Sequence, residues 1–341
     1  MSVLKLTVFS ENLKHNFHLM RRTYPDAEIA AVVKANGYGL GIENVVPPLV
    51  EAGCGTFFVN RFEEGKRVRR LTSKAAVFVL DAFVGTETLQ DYKALNLTPV
   101  FSSIEALARY PQEQNIAVRL DTGFNLAGID AFNEAAVSRA LKGRSVSLLM
   151  SHLSCAERPD NLKNKEQSAL FSKYAALFPD AKKSLAASFG AALGKEYRFD
   201  MIRAGAALYG SSALPDSRSV ASLTTKVGWL RRFKAGESLG YNDACVLKNN
   251  ALVASLPVGA GDGIVHKAGC FVRYKDALLP VLSAPTTNYL PVDASAVADR
   301  IQVGDEVALF DDVYTPDRLA LDAGTEVGAD VLIRLNGASF L

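Results

Sequence analysis

Residues 28–41 read EIAAVVKANGYGLG: a short apolar run, a lysine, then three glycines within five residues. An apolar run of this length is that of a strand buried on both faces, as in a parallel sheet. Lys34 closes the run, where strand gives way to loop. Burial there draws an ammonium below its ordinary pKa of about 10.4 and leaves a nucleophile or a base. Gly37, Gly39 and Gly41 let the backbone approach a bound group closely, and the Tyr38 hydroxyl can donate to a phosphate oxygen. Taken alone, the same residues also describe a strand-end lysine pointing to water.

Seven further runs follow the first: CGTFFVN (54–60), AAVFVLD (75–81), LTPVF (97–101), IAVRLDT (116–122), VSLLMSH (146–152), SLAAS (184–188) and MIRAG (201–205). Between them lie RFEEGKRVRRL, TETLQDYKALN, AFNEAAVSRALKG and NKEQSALFSKYAALF, with helical spacing or a capping Thr or Asn at the start. Eight βα units in about 200 residues is the length of a TIM-like (β/α)8 barrel. A doubly wound open sheet shares the alternation and stays the alternative. Past Gly210 the texture changes to short β-rich runs, SLTTKVGWL, ALVASLPVG, CFVRY, VALF and DVLIRL, among Gly, Pro and Asp turns. The expected organisation is an α/β barrel over 8–215, a linker near SSALPDSRS, and a mostly β domain over 216–341. The strand-like residues 1–7 are expected to join the second domain.

Composition narrows the function. The chain has 341 residues with 38 basic and 36 acidic side chains, a net charge of +2, so charge gives no reason to expect nucleic acid as a partner. No apolar run approaches the roughly 20 residues that span a bilayer, and the N-terminus lacks the pattern of a secretory leader. A cytoplasmic protein acting on a small molecule, without a membrane, is the expectation. Cys54, Cys155, Cys245 and Cys270 are far apart and form no CxxC. They indicate neither metal nor disulfides and read as small buried hydrophobes.

In a barrel, chemistry gathers at the C-terminal ends of the strands. Those ends carry Lys34, Asn60, Asp81, Asp121, His152, Ser188 and Arg203.

AVVKANGYGLG strongly resembles the signature around the cofactor lysine of bacterial alanine racemases, which use pyridoxal 5′-phosphate (PLP). LDTGFNLAG, MSHLSCAE, AASFG, FDMIRAGAALYG, KAGESLGYN and LPVGAGDG resemble further landmarks of that family in its order, so the resemblance covers nearly the whole chain. It implies an eight-stranded α/β barrel followed by a mostly β domain, and a head-to-tail homodimer with shared active sites. It implies that Lys34 holds PLP as a Schiff base and moves the α-proton of an amino acid on one face. Tyr241, in SLGYN, matches the tyrosine that serves the opposite face from the partner subunit. Racemisation requires two such bases, one removing the proton and one delivering it. By the same resemblance Tyr38, Ser188 and the backbone of Gly205 and Ala206 hold the phosphate. Arg203 faces the pyridine nitrogen, with His152 supporting it. A permanent charge there disfavours protonation of the ring, weakens it as an electron sink and favours proton exchange over transamination.

The departures lie on the substrate side. Leu126 stands where relatives place an arginine that contacts the substrate carboxylate, and Arg119 where many place a lysine that orients it. Arg119 is thus a candidate to supply the missing charge. PTTNY puts Thr287 and Asn288 near the backbone amide that relatives offer to the carboxylate. Ala260 and Ala329 replace tyrosines. The expectation is an amino-acid racemase or epimerase whose substrate differs from alanine. A decarboxylase, a retro-aldolase and a non-catalytic PLP-binding protein are the alternatives, the last disfavoured by the presence of both Lys34 and Tyr241.

Overall fold

The computed structural model describes residues 4–110, 115–325 and 327–335. In chain order the first ten strands are β1 (Lys5–Val8), β2 (Glu28–Val32), β3 (Thr56–Val59), β4 (Ala76–Val79), β5 (Thr98–Phe101), β6 (Ile116–Asp121), β7 (Ile129–Asp130), β8 (Val146–Met150), β9 (Lys182–Ser184) and β10 (Met201–Ala204). Eight of them form a parallel ring in the order β10-β2-β3-β4-β5-β6-β8-β9, with β7 a two-residue addition beside β6. The ring comes together between β9 and β10 through a parallel bridge, Ala187 to Arg203, and the Arg203 amide donating to the Ala186 carbonyl at 3.1 Å. The sheet is a nearly closed barrel, not an open doubly wound sheet.

Period-2 alternation explains why the strands read as continuous apolar runs. Ala30, Val32, Phe58, Val100, Ala117, Leu148, Met150 and Met201 fill the barrel interior. Their neighbours Ile29, Ala31, Phe57, Val59, Val77 and Val79 face the surrounding helices. Both faces of most of these strands are buried, which leaves little room for polar side chains; β9, Lys182–Ser184, is the exception. Four of the helices begin on side-chain caps: Thr88, Ser103, Asn133 and Asn161 accept from the amides of Asp91, Ala106, Ala136 and Lys163.

SLAAS is mostly not strand: β9 ends at Ser184, and Ser188 opens a short helix, Ser188–Ala192. The Arg203 guanidinium takes the Ser184 and Leu185 carbonyls at 2.7 and 3.3 Å.

The second half of the chain builds a five-stranded antiparallel sheet in the order β1, Ala221–Lys226, Glu306–Phe310, Phe271–Tyr274, Ala277–Pro280. β1 pairs with Ala221–Lys226 in the register Lys5 to Thr224. A three-stranded sheet of Trp229–Phe233, Ala251–Leu256 and Leu290–Asp293 and a small hairpin complete the β structure. DVLIRL corrects the sequence reading: Gly328–Arg334 is a helix packed on the helix Pro316–Ala323. Ala329, Val331, Leu332 and Leu335 are buried at helical spacing, and that tertiary burial overrides the β-branched composition. The cysteines are a second correction. Cys54 and Cys270 are buried, but Cys155 and Cys245 are partly exposed. No helix among the described residues is long and apolar enough to cross a membrane, and no metal-binding group occurs among them.

One buried polar side chain ties the first barrel helix, Ser10–Thr23, to the segment leaving the barrel. Asn16 donates to the Leu208 and Arg218 carbonyls at 3.0 and 2.8 Å and accepts from the Arg218 amide at 2.8 Å. Asn16→Ala strands buried backbone groups, at a cost of about 1–3 kcal/mol for each left unsatisfied. We expect a drop of about 2–4 kcal/mol in unfolding free energy from denaturant titration, and a loss under about 0.5 kcal/mol, the size of an ordinary surface change, would refute the role.

In the β domain, burial pushes His266 down to about 4 although its Nε2 bonds the Leu309 carbonyl at 2.9 Å. Between the ordinary histidine pKa near 6.5 and that lowered value, the unfolded chain binds a proton that the folded chain refuses. Stability is therefore full above about pH 6.5 and declines as pH falls toward 4. His266→Gln is expected to lose less of its denaturation midpoint over that interval than the wild type; equal losses would exclude His266 as a source.

Candidate active site

A cleft of about 740 Å³ opens at the C-terminal ends of the barrel strands. Lys34, Tyr38, Arg119, His152, Ser188, Arg203, Gly205 and Ala206 all line it, with Leu126 and the residues Ala329 and Asp330 of the second half. The fold thus brings together eight of the eleven candidate site residues named from the sequence. Tyr241, Thr287 and Asn288 do not line this cleft. Tyr241 lies in a short 3-10 turn, Tyr241–Asp243, 71% exposed, and the Thr287 carbonyl accepts from the Gly261 amide at 3.0 Å in the β domain.

Lys34 leads into an unusual backbone. Ala35, Asn36, Gly37, Tyr38 and Gly39 have φ of 52°, 57°, 65°, 55° and 82°, one turn of left-handed helix immediately after β2. Left-handed helical backbone costs roughly 1–2 kcal/mol per non-glycine residue, so something must hold it. The Glu64 carboxylate does so: one oxygen accepts from the Asn36 amide at 2.9 Å, the other from the Asn60 and Arg61 amides at 2.9 and 3.1 Å. The Asn36 side chain in turn accepts from the Ile42 amide and from Arg67 at 3.3 and 2.7 Å. Burial, foremost, then the charges of Arg119 and Arg203 lower the Lys34 pKa, against Asp81 and Glu64. An amine in that state is a better nucleophile near neutral pH.

Tyr38 swings back from the turn to stack on Tyr209 at 4.5 Å, and burial pushes its hydroxyl up to about 12, so it remains a donor. Opposite it is Gly205, where a Cβ would lie 2.4 Å from the Tyr38 hydroxyl oxygen. Only a glycine admits the tyrosine there. Ser188 Oγ accepts from the Gly205 and Ala207 amides at 3.0 and 3.1 Å, which leaves its own proton to donate into the cleft. Two hydroxyl donors converge beside a nucleophilic amine. That donor set fits a small molecule carrying a phosphate and an aldehyde.

Arg203 is buried on β10 and bonds the Ser184 carbonyl and hydroxyl at 2.7 and 2.6 Å, the Ser151 carbonyl at 2.5 Å and His152 Nδ1 at 3.3 Å. A guanidinium only donates, so His152 Nδ1 is the acceptor and the ring proton sits on Nε2. Burial and the charges of Arg203, Arg119 and Lys34 push His152 down to about 3, neutral at any physiological pH. Burial brings Arg203 itself down to about 9.

Against this geometry, two family models match in tandem. The N-terminal domain of alanine racemase matches residues 8–213 and its C-terminal domain residues 220–337. The chain belongs to the alanine racemase family. Among curated relatives, alanine racemase of Rickettsia peacockii is 30% identical, with 98% of this chain and 97% of the relative covered. That of Dinoroseobacter shibae is 34% identical over 89% and 87%. Among solved structures, the biosynthetic alanine racemase of Pseudomonas aeruginosa superposes with a TM-score of 0.87 at 28% identity, covering 98% and 97% of the two chains. Alanine racemase from Bartonella henselae, described with covalently bound PLP, shares the fold with a TM-score of 0.86 at 24% identity over 98% of each chain. The cofactor of the alanine racemase family is PLP.

Four site residues lay beyond sequence reasoning: Glu64, Tyr209, Ala207 and Asp330. Glu64 reads as an ordinary first-turn glutamate of the helix Phe62–Leu71. Tyr209 and Ala207 sit inside FDMIRAGAALYG with no polar cue of their own, and Asp330 sits in the segment misread as a strand. For the cofactor pocket we expect Gly205→Ala, whose methyl displaces Tyr38, to weaken PLP retention at least tenfold, read from the absorbance left after dialysis, with the fold intact by circular dichroism. Unchanged retention would remove the Tyr38–Gly205 pair from the phosphate site.

Proposed function

We propose that the chain is a cytoplasmic, homodimeric, PLP-dependent amino-acid racemase. The observation that carries the reading is Lys34: a buried amine of lowered pKa, at a strand end, facing a cleft where the Ser188 and Tyr38 hydroxyls suit a phosphate. PLP, when bound, supplies the electron withdrawal that makes the α-hydrogen of an amino acid acidic. Lys34 Nζ would hold the cofactor and would take or return that proton on one face. Arg203 keeps a positive charge toward the ring, and neutral His152 buttresses it. Ser188, Tyr38 and the backbone of Gly205 and Ala206 hold the phosphate.

The opposite face needs a second base, and Tyr241 is proposed for it. Its exposure and its absence from the cleft of its own chain favour delivery by the partner subunit, with Thr287 and Asn288 of the same β domain meeting the substrate. Two copies then complete two sites. Ala329 at the cleft wall and Ala260 in the β domain favour side chains larger than a methyl group. The four free cysteines suit a reducing compartment.

Purified enzyme with PLP, incubated in deuterated water with a panel of D- and L-amino acids, should give α-deuterated product of both configurations by chiral chromatography. Lys34→Ala should lose the covalent cofactor, and Tyr241→Phe should cut conversion by about 10²-fold or more, the low end of a general acid–base contribution. Exchange of one enantiomer without inversion would defeat two-base racemisation. Release of CO2 or an aldehyde would move the protein to decarboxylation or retro-aldol cleavage.

A further inference from the structure

The cleft carries four cationic side chains, Lys34, Arg119, Arg158 and Arg203, and they differ in how much of their hydrogen-bonding capacity is spent. Arg203 is committed to carbonyls, Ser184 Oγ and His152. Lys34 is the covalent anchor. Arg158 is exposed at the rim and is not among the charges that act on Lys34.

Arg119 is different. It lies on β6 with its Nε buried and without a hydrogen-bond partner, and among the described residues no carboxylate forms an ion pair with it. The two nearby acids are otherwise engaged. Asp121 accepts with one oxygen from the Gly123, Phe124 and Asn125 amides at 2.9, 2.8 and 3.0 Å, and Asp81 accepts from Asn60 Nδ2 at 2.7 Å. The guanidinium lies 6.0 Å from the centre of the Phe124 ring, which is itself packed edge-on against His152 at 5.2 Å. A side chain so placed has its stem fixed and its fork unspent. A buried donor without a partner is costly, and a charged one more so, a penalty removed when an anion arrives. Leu126, also on the cleft wall and 81% exposed, offers an anion nothing.

We propose that Arg119 binds the α-carboxylate of the amino-acid substrate through its guanidinium fork, and so sets substrate affinity from β6. The inference rests on the racemase reading, because that reading puts an amino acid beside Lys34. A planar fork matches a carboxylate in two parallel hydrogen bonds, which fixes the orientation of the α-carbon between its two bases as well as adding affinity.

The test uses holoenzyme and two ligands that differ only by a carboxylate. They are 2-aminoisobutyrate, which has no α-hydrogen and binds without turnover, and isopropylamine. Both are titrated by the change in cofactor absorbance. Arg119→Leu should bind 2-aminoisobutyrate about 10- to 100-fold more weakly, the range of a lost hydrogen bond to a charged group, and isopropylamine as the wild type does. Arg119→Lys, which keeps charge without the fork, should fall between them and guards against a folding defect in the leucine variant. If the wild type racemises and Arg119→Leu binds 2-aminoisobutyrate as tightly as it does, this role is overturned and the proposed function stands. Loss of bound PLP from Arg119→Leu would assign the side chain to the cofactor and overturn it as well. A wild type that holds PLP yet responds to no amino acid would sink the racemase reading, and the inference with it.

Discussion

The Arg203 guanidinium sits where the barrel comes together. It is buried, and its donors reach carbonyls of Ser151, Ser184 and Leu185 on the two preceding strand ends. An isolated buried charge is expensive, and this one is offset by carbonyl dipoles instead of a carboxylate. That choice has two consequences. The strand ends at β8, β9 and β10 are fixed relative to one another, and the charge facing the cleft is left unneutralised. His152 can only accept from it, so its tautomer and its neutrality follow.

On the adjacent strand, the left-handed turn after β2 is the second constraint. Five successive residues at positive φ are braced by the Glu64 carboxylate, reaching from the helix Phe62–Leu71, together with the Asn36 side chain. The turn aims Tyr38 back over Gly205 while Lys34 stays at the strand end. Strain here and burial of Lys34 are two sides of one arrangement: packing that over-determines the backbone also removes water from the amine. The cleft then holds several cations and few free acids, which suits a dianionic cofactor and a carboxylate substrate in one space.

The β domain acts differently. Its sheets carry Tyr241 and the Thr287–Asn288 loop outside the cleft of their own chain, while the helix Gly328–Arg334 brings Ala329 and Asp330 to the cleft wall. The arrangement is economical if a second copy supplies the exposed surface.

Much of this was legible in the sequence. Seven of the eight apolar runs fall on barrel strands because burial on both faces leaves little room for polar alternation, and Lys34, His152 and Arg203 converge, with Ser188 beside them, because barrel strands end on one rim. SLAAS and DVLIRL were misread because hydrogen bonding to Arg203 and burial against a neighbouring helix decided their form, and neither influence is local. The grip of Glu64 on Asn36 and the unspent fork of Arg119 were invisible for the same reason. A side chain's type is written in the sequence, but whether its hydrogen bonds are already taken depends on neighbours that only folding brings within 3 Å or so. The sequence by itself determined the family and the barrel, because both rest on residue pattern along the chain; tertiary structure decided which charges were neutralised and which were left for a ligand, because that depends on neighbours brought together by folding.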